Sequence, residues 1–266
     1  MVKISPDSNE VGLITVQMQV IPKVIHYCWF GRNPLPDSAV KYIDSWKKFF
    51  PDYEIKEWNE DNFDVNIIPY TKEAYEAKKY AFVSDYARMW ILYHFGGLYF
   101  DTDVEVIKPM DDIVERGPFM GIEVEALNED APQVNPGLGL GVISGLKLYK
   151  EILDYYAQLQ FVLEDGSLNQ VTIVKHVTNI LIKHGLNLTS ELQCVSSVWI
   201  YPRDYFNPLD DNTGQLSITD NTRSIHWYTK TWLKKQNPLR TWIVRRIHRY
   251  FGNDSLVWLN RLLGRK

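Results

Sequence analysis

Asp101 and Asp103 stand two residues apart beyond an apolar run. Carboxylates that close repel each other unless a cation lies between them. Hard oxygen donors of this kind suit Mg²⁺ or Mn²⁺, and Mg²⁺ is usually shared with substrate phosphates. An Asp-x-Asp triplet is weak by itself, since roughly one is expected by chance in a chain this long. The residues in front of it add weight. Asp85 and Arg88 are three apart in a helical stretch, so they share one helix face one element upstream of the two carboxylates.

To bring these four side chains together the chain needs a helix, a sharp stop and a strand. Residues 84–106 read SDYARMWILYHFGGLYFDTDVEV. The polar pair before the apolar run predicts a helix that starts at Ser84, with Ser84 as N-cap and Asp85 near the positive end of the dipole. Gly96-Gly97 supplies the stop, because glycine reaches left-handed backbone without a Cβ penalty. Residues 98–106 then alternate as one strand. Tyr99, Asp101, Asp103 and Glu105 fall on one face, and Leu98, Phe100, Thr102 and Val104 on the other.

Upstream, residues 24–30 are apolar and β-prone between Pro22 and the 31–36 loop, and read as the first core strand. A helix at 39–49 with Pro51 just beyond it, a strand at 53–58 and helical material at 70–80 follow. This order implies an α/β fold with a mainly parallel sheet, whose ligands gather beyond the strand carboxyl ends. Downstream, 119–125 reads as a strand that turns Glu123 and Glu125 toward the site. Residues 128–145, rich in Gly, Pro and Asn, read as a loop. They lack the Lys-Ser/Thr of a phosphate loop and the spacing of a dinucleotide fingerprint. Helices at 148–163 and 169–183 and a short strand at 198–201 complete the domain.

Ser84, Asp85 and Arg88, followed by Gly96, Gly97, Tyr99, Asp101 and Asp103, form the pattern S-D-x-x-R…G-G-x-Y-x-D-x-D. That pattern resembles the DXD signature of the glycosyltransferase family of yeast initiating α-1,6-mannosyltransferase and bacterial capsular-polysaccharide transferases. Clostridial glucosylating toxins are its more distant members. IPKVIHYCWFG (21–31) and IHWYTKTW (225–232) are similar to the family as well. The resemblance implies a GT-A fold, a nucleotide-binding α/β/α sandwich. It also implies a retaining, metal-dependent transfer of a hexose from a UDP- or GDP-sugar to a glycan or lipid-linked saccharide in polysaccharide or capsule biosynthesis. Carried over to this chain, Asp103 and Asp101 touch Mn²⁺ or Mg²⁺, and His226 completes the metal or diphosphate shell. Asp85 meets ribose or sugar hydroxyls, and Arg88 faces diphosphate or sugar. Trp29, Tyr99, Asn135 and Trp232 line the donor, while His26 is either near the nucleotide or a satisfied core histidine. Haloacid-dehalogenase-type phosphohydrolases also place Asp-x-Asp after an apolar strand, with the first Asp as nucleophile. Glu105 stands where they usually carry Thr or Val. A non-catalytic carbohydrate-binding protein is the third alternative.

The chain has 266 residues, 45% of them hydrophobic, and suits one large domain. Nine Trp and sixteen Tyr supply rings for a core and for stacking on sugars and bases. A net charge of -4 argues against a nucleic-acid binder. Cys28 and Cys194 allow at most one disulfide, so the cytoplasm is the expected compartment. We read residues 1–20 as an extension and 21–236 as the transferase domain. Residues 237–266 form a basic amphipathic helical tail, with seven Lys plus Arg against Asp254 alone. Such a tail suits peripheral contact with an anionic membrane on its inner face, or packing on the core.

Overall fold

Apolar side chains pointing alternately to opposite sides of a strand need a cover on each side, and this chain supplies helices for both. In the computed structural model the described residues are 20–125, 132–187, 189–229 and 238–251. Along the chain come β1 (Val24–Cys28), α1 (Asp37–Phe49), β2 (Glu54–Trp58), α2 (Pro69–Glu76), α3 (Tyr80–Phe95), β3 (Gly97–Tyr99) and β4 (Val104–Val106). Next are α4 (Asp111–Arg116), β5 (Phe119–Val124), β6 (Gln133–Asn135), β7 (Leu140–Val142), α5 (Lys147–Tyr156) and α6 (Ile173–Lys183). The series ends with β8 (Gln193–Val195), β9 (Val198–Tyr201), α7 (Arg203–Phe206), β10 (Leu209–Asp210), β11 (Gln215–Leu216), β12 (Ser224–His226) and α8 (Pro238–Phe251).

The main sheet has the order β2-β1-β3-β7-β5-β9-β8, with β6 on β5. The strands β2, β1, β3, β5 and β9 run one way, and β6, β7 and β8 the other. The sheet is therefore mixed but mainly parallel in direction. On one face Ile25, Tyr27, Leu98 and Phe119 pack with Trp46 of α1, Ile113 of α4 and Phe206 of α7. On the other, Cys28, Tyr99 and Met120 pack with Tyr70, Tyr86, Tyr149 and Val177 from α2, α3, α5 and α6. The result is an α/β/α sandwich, the layered architecture that the resemblance implied. Among the described residues no helix is long and apolar enough to cross a membrane.

The structure corrects the expected element bounds in several places. Helix α3 begins at Tyr80, so Ser84 is not its N-cap and Asp85 is not in its first turn; the Ser84 hydroxyl donates back to the Tyr80 carbonyl at 3.1 Å. The preceding helix closes without glycine. Lys78 takes the left-handed conformation (φ 57), and the N–H groups of Lys79 and Lys78 reach the carbonyls of Ala74 and Tyr75. That double closure is a Schellman motif, and it hides the boundary from a reader looking for Gly. Helix α5 stops at Tyr156 rather than 163, and α6 starts at Ile173 rather than 169. Residues 128–145 contain β6 and β7 in their described part, not loop alone.

The expected strand 98–106 is two strands joined by a turn. The Val104 N–H donates to the Asp101 carbonyl at 3.0 Å, closing a turn over 101–104. The chain leaves the main sheet there, and β4 pairs antiparallel with β12. Glu105 consequently turns away from the two aspartates and accepts a hydrogen bond from the Trp227 indole at 2.8 Å. The stop before β3 is as predicted: Gly96 (φ 65) caps α3, and Gly97 (φ 99) lies where a Cβ would come within 2.7 Å of the Val24 side chain and carbonyl. The basic tail is described to residue 251. There, α8 docks on the β10–β11 hairpin, where Arg245 pairs with Asp211 at 3.1 Å and Arg249 donates to the Thr213 carbonyl. Residues 252–266 lie outside the described part.

His26 is the satisfied core histidine. The Trp58 indole donates to its Nδ1 at 3.0 Å, so the ring proton sits on Nε2 and donates to the Gly96 carbonyl at 3.0 Å. The ring thus ties β1 and β2 to the glycine stop. Burial pushes its pKa down to about 4, below the usual 6.5, despite the Gly96 bond. Between these values the unfolded chain takes up a proton that the folded chain refuses, so stability falls with pH. From pH 7 to pH 5 this histidine alone should remove about 2 kcal/mol of unfolding free energy. Urea unfolding of wild type and His26→Gln at both pH values checks this. The variant should lack that part of the slope, and equal slopes would contradict the assignment.

Candidate functional site

The turn over 101–104 lies just past the carboxyl end of β3, and each of its aspartates is held from a different side. Asp101 faces α3. Its Oδ1 lies 3.1 Å from Arg88 Nη2, its Oδ2 3.3 Å from Arg88 Nη1, and the Tyr99 hydroxyl donates to Oδ1 at 3.2 Å. Arg88 is 4% exposed and also pairs with Asp85 at 3.0 Å, one turn earlier on α3. Its Nε donates to the Ser84 carbonyl, and its guanidinium lies over the Tyr99 ring at 4.9 Å. Ser84, Asp85, Arg88, Tyr99 and Asp101, singled out by spacing, therefore form one connected group. Beneath it the Cys28 thiol, bonded to Tyr99, is pushed up to about 12 by burial. Both Asp101 oxygens are thus engaged by cationic or hydroxyl donors, an arrangement that weighs against a role as phosphorus nucleophile.

Asp85 is 92% buried, and burial raises its carboxyl to about 6 against the opposing pull of Arg88. It also accepts the Ile173 N–H at the start of α6. Helix α6 thus meets the site at its positive end, a contact that sequence spacing did not disclose.

Asp103 faces β12. The His226 Nε2 lies 3.0 Å from its Oδ1, while the Thr229 N–H and hydroxyl donate to Oδ2 at 2.8 and 3.1 Å. Burial works to raise the Asp103 carboxyl, but His226 and the two Thr229 donors outweigh it and hold it down at about 2. In His226 burial is likewise outweighed, and Asp103 shifts the imidazole above its usual value. The ring's Nδ1 is buried and unpartnered. Asp101, Asp103 and His226 each offer a ligand atom, all within 4.8 Å of one another. Two carboxylates and an imidazole, converging with a buried ring nitrogen left to spare, suit a divalent cation such as Mn²⁺ or Mg²⁺.

These groups open on a cleft of about 580 Å³. Trp29, Asn33, Pro34 and Tyr80 line one part of it, Glu123, Asn135 and Tyr228 another, and Thr172 to Val174 a third. The Trp29 indole donates to the Asn33 carbonyl at 2.6 Å, which fixes the loop after β1. Asn135, buried at the end of β6, accepts the Gly137 N–H at 2.6 Å and shapes the turn into β7. Glu123 faces the cleft and bonds Tyr228, whereas Glu125 is exposed and makes no part of it. Trp232 lies outside the described residues.

Sequence reasoning missed Gly137, Thr229 and Tyr228. Gly137 lies in the glycine-rich stretch and Thr229 and Tyr228 three and two residues past His226, but none has a local signal for its partner. The Gly137 carbonyl accepts the Asp101 N–H at 3.2 Å, and a Cβ on Gly137 would stand 2.0 Å from Asp101 Oδ2 and 3.1 Å from Arg88 Nη1. Gly137→Ala should therefore pull Asp101 off Arg88 and lower stability by on the order of 2–3 kcal/mol. Urea unfolding measures it, and a loss under about 0.5 kcal/mol, the usual range for an inert surface change, would show that Asp101 is not held there.

Part of this site lies in a stretch that is similar to known proteins. Residues 36–120 match the family described as the glycosyltransferase sugar-binding region containing the DXD motif. Inositol phosphoceramide mannosyltransferase 1 of Schizosaccharomyces pombe is 28% identical over 128 residues, 44% of this chain and 37% of that protein. An uncharacterized glycosyltransferase of Acanthamoeba polyphaga mimivirus is 26% identical over 197 residues, 71% of this chain and 76% of its own length. The solved galactosyltransferase LgtC, in complex with donor and acceptor sugar analogs, is 12% identical with a TM-score of 0.46, covering 85% of this chain and 94% of that one. The chain spans little more than a third of the length of the fission-yeast relative it matches. Residues 36–120, which carry Asp85, Arg88, Tyr99, Asp101 and Asp103, are thus similar to a DXD-containing sugar-binding region of glycosyltransferases.

Proposed function

We propose that the protein transfers a hexose, with retention of anomeric configuration, from a UDP- or GDP-sugar to a hydroxyl of a saccharide or lipid-linked saccharide in polysaccharide biosynthesis. The observation that carries the reading is the convergence of Asp101, Asp103 and His226 within 4.8 Å at the cleft. Mn²⁺ is favoured over Mg²⁺ as the ion they hold, because Mg²⁺ takes oxygen donors and an imidazole suits transition metals better. A divalent cation bound there would offset the negative charge that develops on the leaving diphosphate.

The chain's own side chains would do the rest. The loop after β1 and Tyr80 would hold the nucleoside, with Trp29 beside it. Asp85 and Asn135 would bond hydroxyls of ribose or sugar, and Tyr99 would support Asp101. Arg88, locked between Asp85 and Asp101, would supply a fixed positive charge beside the diphosphate. Trp232 is a further candidate for the donor side. Several relatives are named mannosyltransferases, so mannose is the first hexose to test, on both nucleotides.

Incubation with a panel of nucleotide sugars and Mn²⁺ should give donor hydrolysis or transfer. Asp103→Asn should lower that turnover at least a hundredfold while the circular-dichroism spectrum stays that of wild type. Near-normal turnover of the variant at saturating Mn²⁺ would sink the assignment.

We extend the reading to residues 237–266, proposed as a contact with the anionic inner face of a membrane where lipid-linked acceptors reside, for a protein of the cytoplasm. The support is the excess of Lys and Arg over acid in this segment and a helix, α8, anchored to the domain by Arg245. Each basic residue near an anionic surface contributes about 1 kcal/mol, and salt screens it. The full chain should co-sediment with anionic vesicles at low salt and detach at high salt. A protein that ignores them at low salt contradicts this extension and leaves the transferase reading standing.

A further inference from the structure

Asp103 is clasped by three of four consecutive residues. His226 reaches Oδ1, the Trp227 N–H donates to the Asp103 carbonyl at 3.0 Å, and Thr229 donates twice to Oδ2. The fourth residue, Tyr228, bonds Glu123 and Asn207 instead. For His226 and Thr229 to approach one carboxylate from two directions, the chain must reverse between them. It does so at Tyr228, whose φ of 51 is left-handed backbone, a conformation that a bulky side chain adopts only when its surroundings impose it.

Those surroundings are specific. The Tyr228 hydroxyl donates to Glu123 Oε1 at 2.9 Å and accepts from Asn207 Nδ2 at 2.7 Å. Asn207 is 1% exposed, and its amide also donates to the Glu123 carbonyl at 3.1 Å. The Tyr228 ring lies edge-on to the His226 ring, 4.2 Å between centroids. Glu123 belongs to β5 of the main sheet and Asn207 follows α7, whereas Asp103 and His226 flank the separate β4–β12 pair. One hydroxyl therefore ties the small ladder that carries the cation ligands to the large sheet that forms the body of the domain.

We propose that Tyr228 is a positioning residue of the cation site: its hydroxyl, held by Glu123 and Asn207, keeps the backbone reversed so that His226 and Thr229 set Asp103 for the ion. This rests on the cation reading given under the proposed function. Among the described residues the Tyr228 ring meets one other aromatic ring, that of His226, which is itself part of what must be placed.

Tyr228→Phe removes one oxygen and keeps the ring. Two measurements on this full-length variant test the proposal. In a titration with Mn²⁺ alone, followed by the electron paramagnetic resonance signal of free Mn²⁺, the variant should bind at least tenfold more weakly than wild type. In the metal-free protein, hydrogen exchange at the Trp227 and Thr229 amides should speed up at least tenfold, while amides of β1 and β5 keep wild-type rates. A purely structural tyrosine would lower the melting temperature and leave the Mn²⁺ affinity where it was, and that result overturns the proposal. Wild-type protein that fails to bind Mn²⁺ overturns the cation reading and this proposal together. Wild-type binding matched by the variant overturns this proposal alone.

Discussion

A guanidinium buried between two carboxylates governs the rest of this structure. Arg88 is nearly sealed from water, and a lone charge there would be heavily penalised. Asp85 and Asp101 on either side make it tolerable, and each in turn restricts what lies next to it. Asp101 must stand at the end of β3, which places the double glycine before it and the turn after it. The β6–β7 turn must pass close over Asp101, so position 137 has room for glycine alone. Asp85 must meet the start of α6. Removing any one partner leaves a buried charge uncompensated, and that penalty exceeds what the pair contributes when whole.

The second aspartate is governed by different forces. Asp103 is placed by the separate β4–β12 ladder, with His226 and Thr229 as its donors. Two aspartates separated by one residue are therefore held by two different parts of the fold. Their separation is set where those parts meet, in the turn closed by Val104 on Asp101. Such an arrangement resists the mutual repulsion of the carboxylates before any cation arrives. This is the kind of preorganisation that lets a site hold an ion without rearranging. The hydroxyl of Tyr228, joined to Glu123 and Asn207, spans the two parts.

What was legible in the sequence was local. Asp85, Arg88, the double glycine, Tyr99 and the two aspartates lie within one helix–stop–strand passage, where periodicity and glycine chemistry set spacing directly. The α/β class and the first strands followed from the same signals. The break of 98–106 into two strands was not legible, because alternation continues through Thr102 and the partner that draws β4 away, β12, is remote. The contact of Thr229 with Asp103 spans 126 residues and has no periodic mark. The start of α3 was hidden by Lys78 doing at a helix end what glycine usually does. His26 shows the converse: a histidine in a suggestive place whose two nitrogens are both spent on Trp58 and Gly96.

The central claim is that Asp101, Asp103 and His226 hold a divalent cation shared with the diphosphate of a nucleotide. If so, cation and nucleotide binding are linked, and each must strengthen the other by one common factor. Isothermal titration of the full-length protein with UDP and GDP, with and without Mn²⁺, and with Mn²⁺, with and without the nucleotide, measures that factor in both directions. The account predicts that one of the two nucleotides binds at least tenfold tighter with Mn²⁺, and that Mn²⁺ binds tighter by the same factor when that nucleotide is present. Nucleotide affinities unchanged by Mn²⁺ would contradict it.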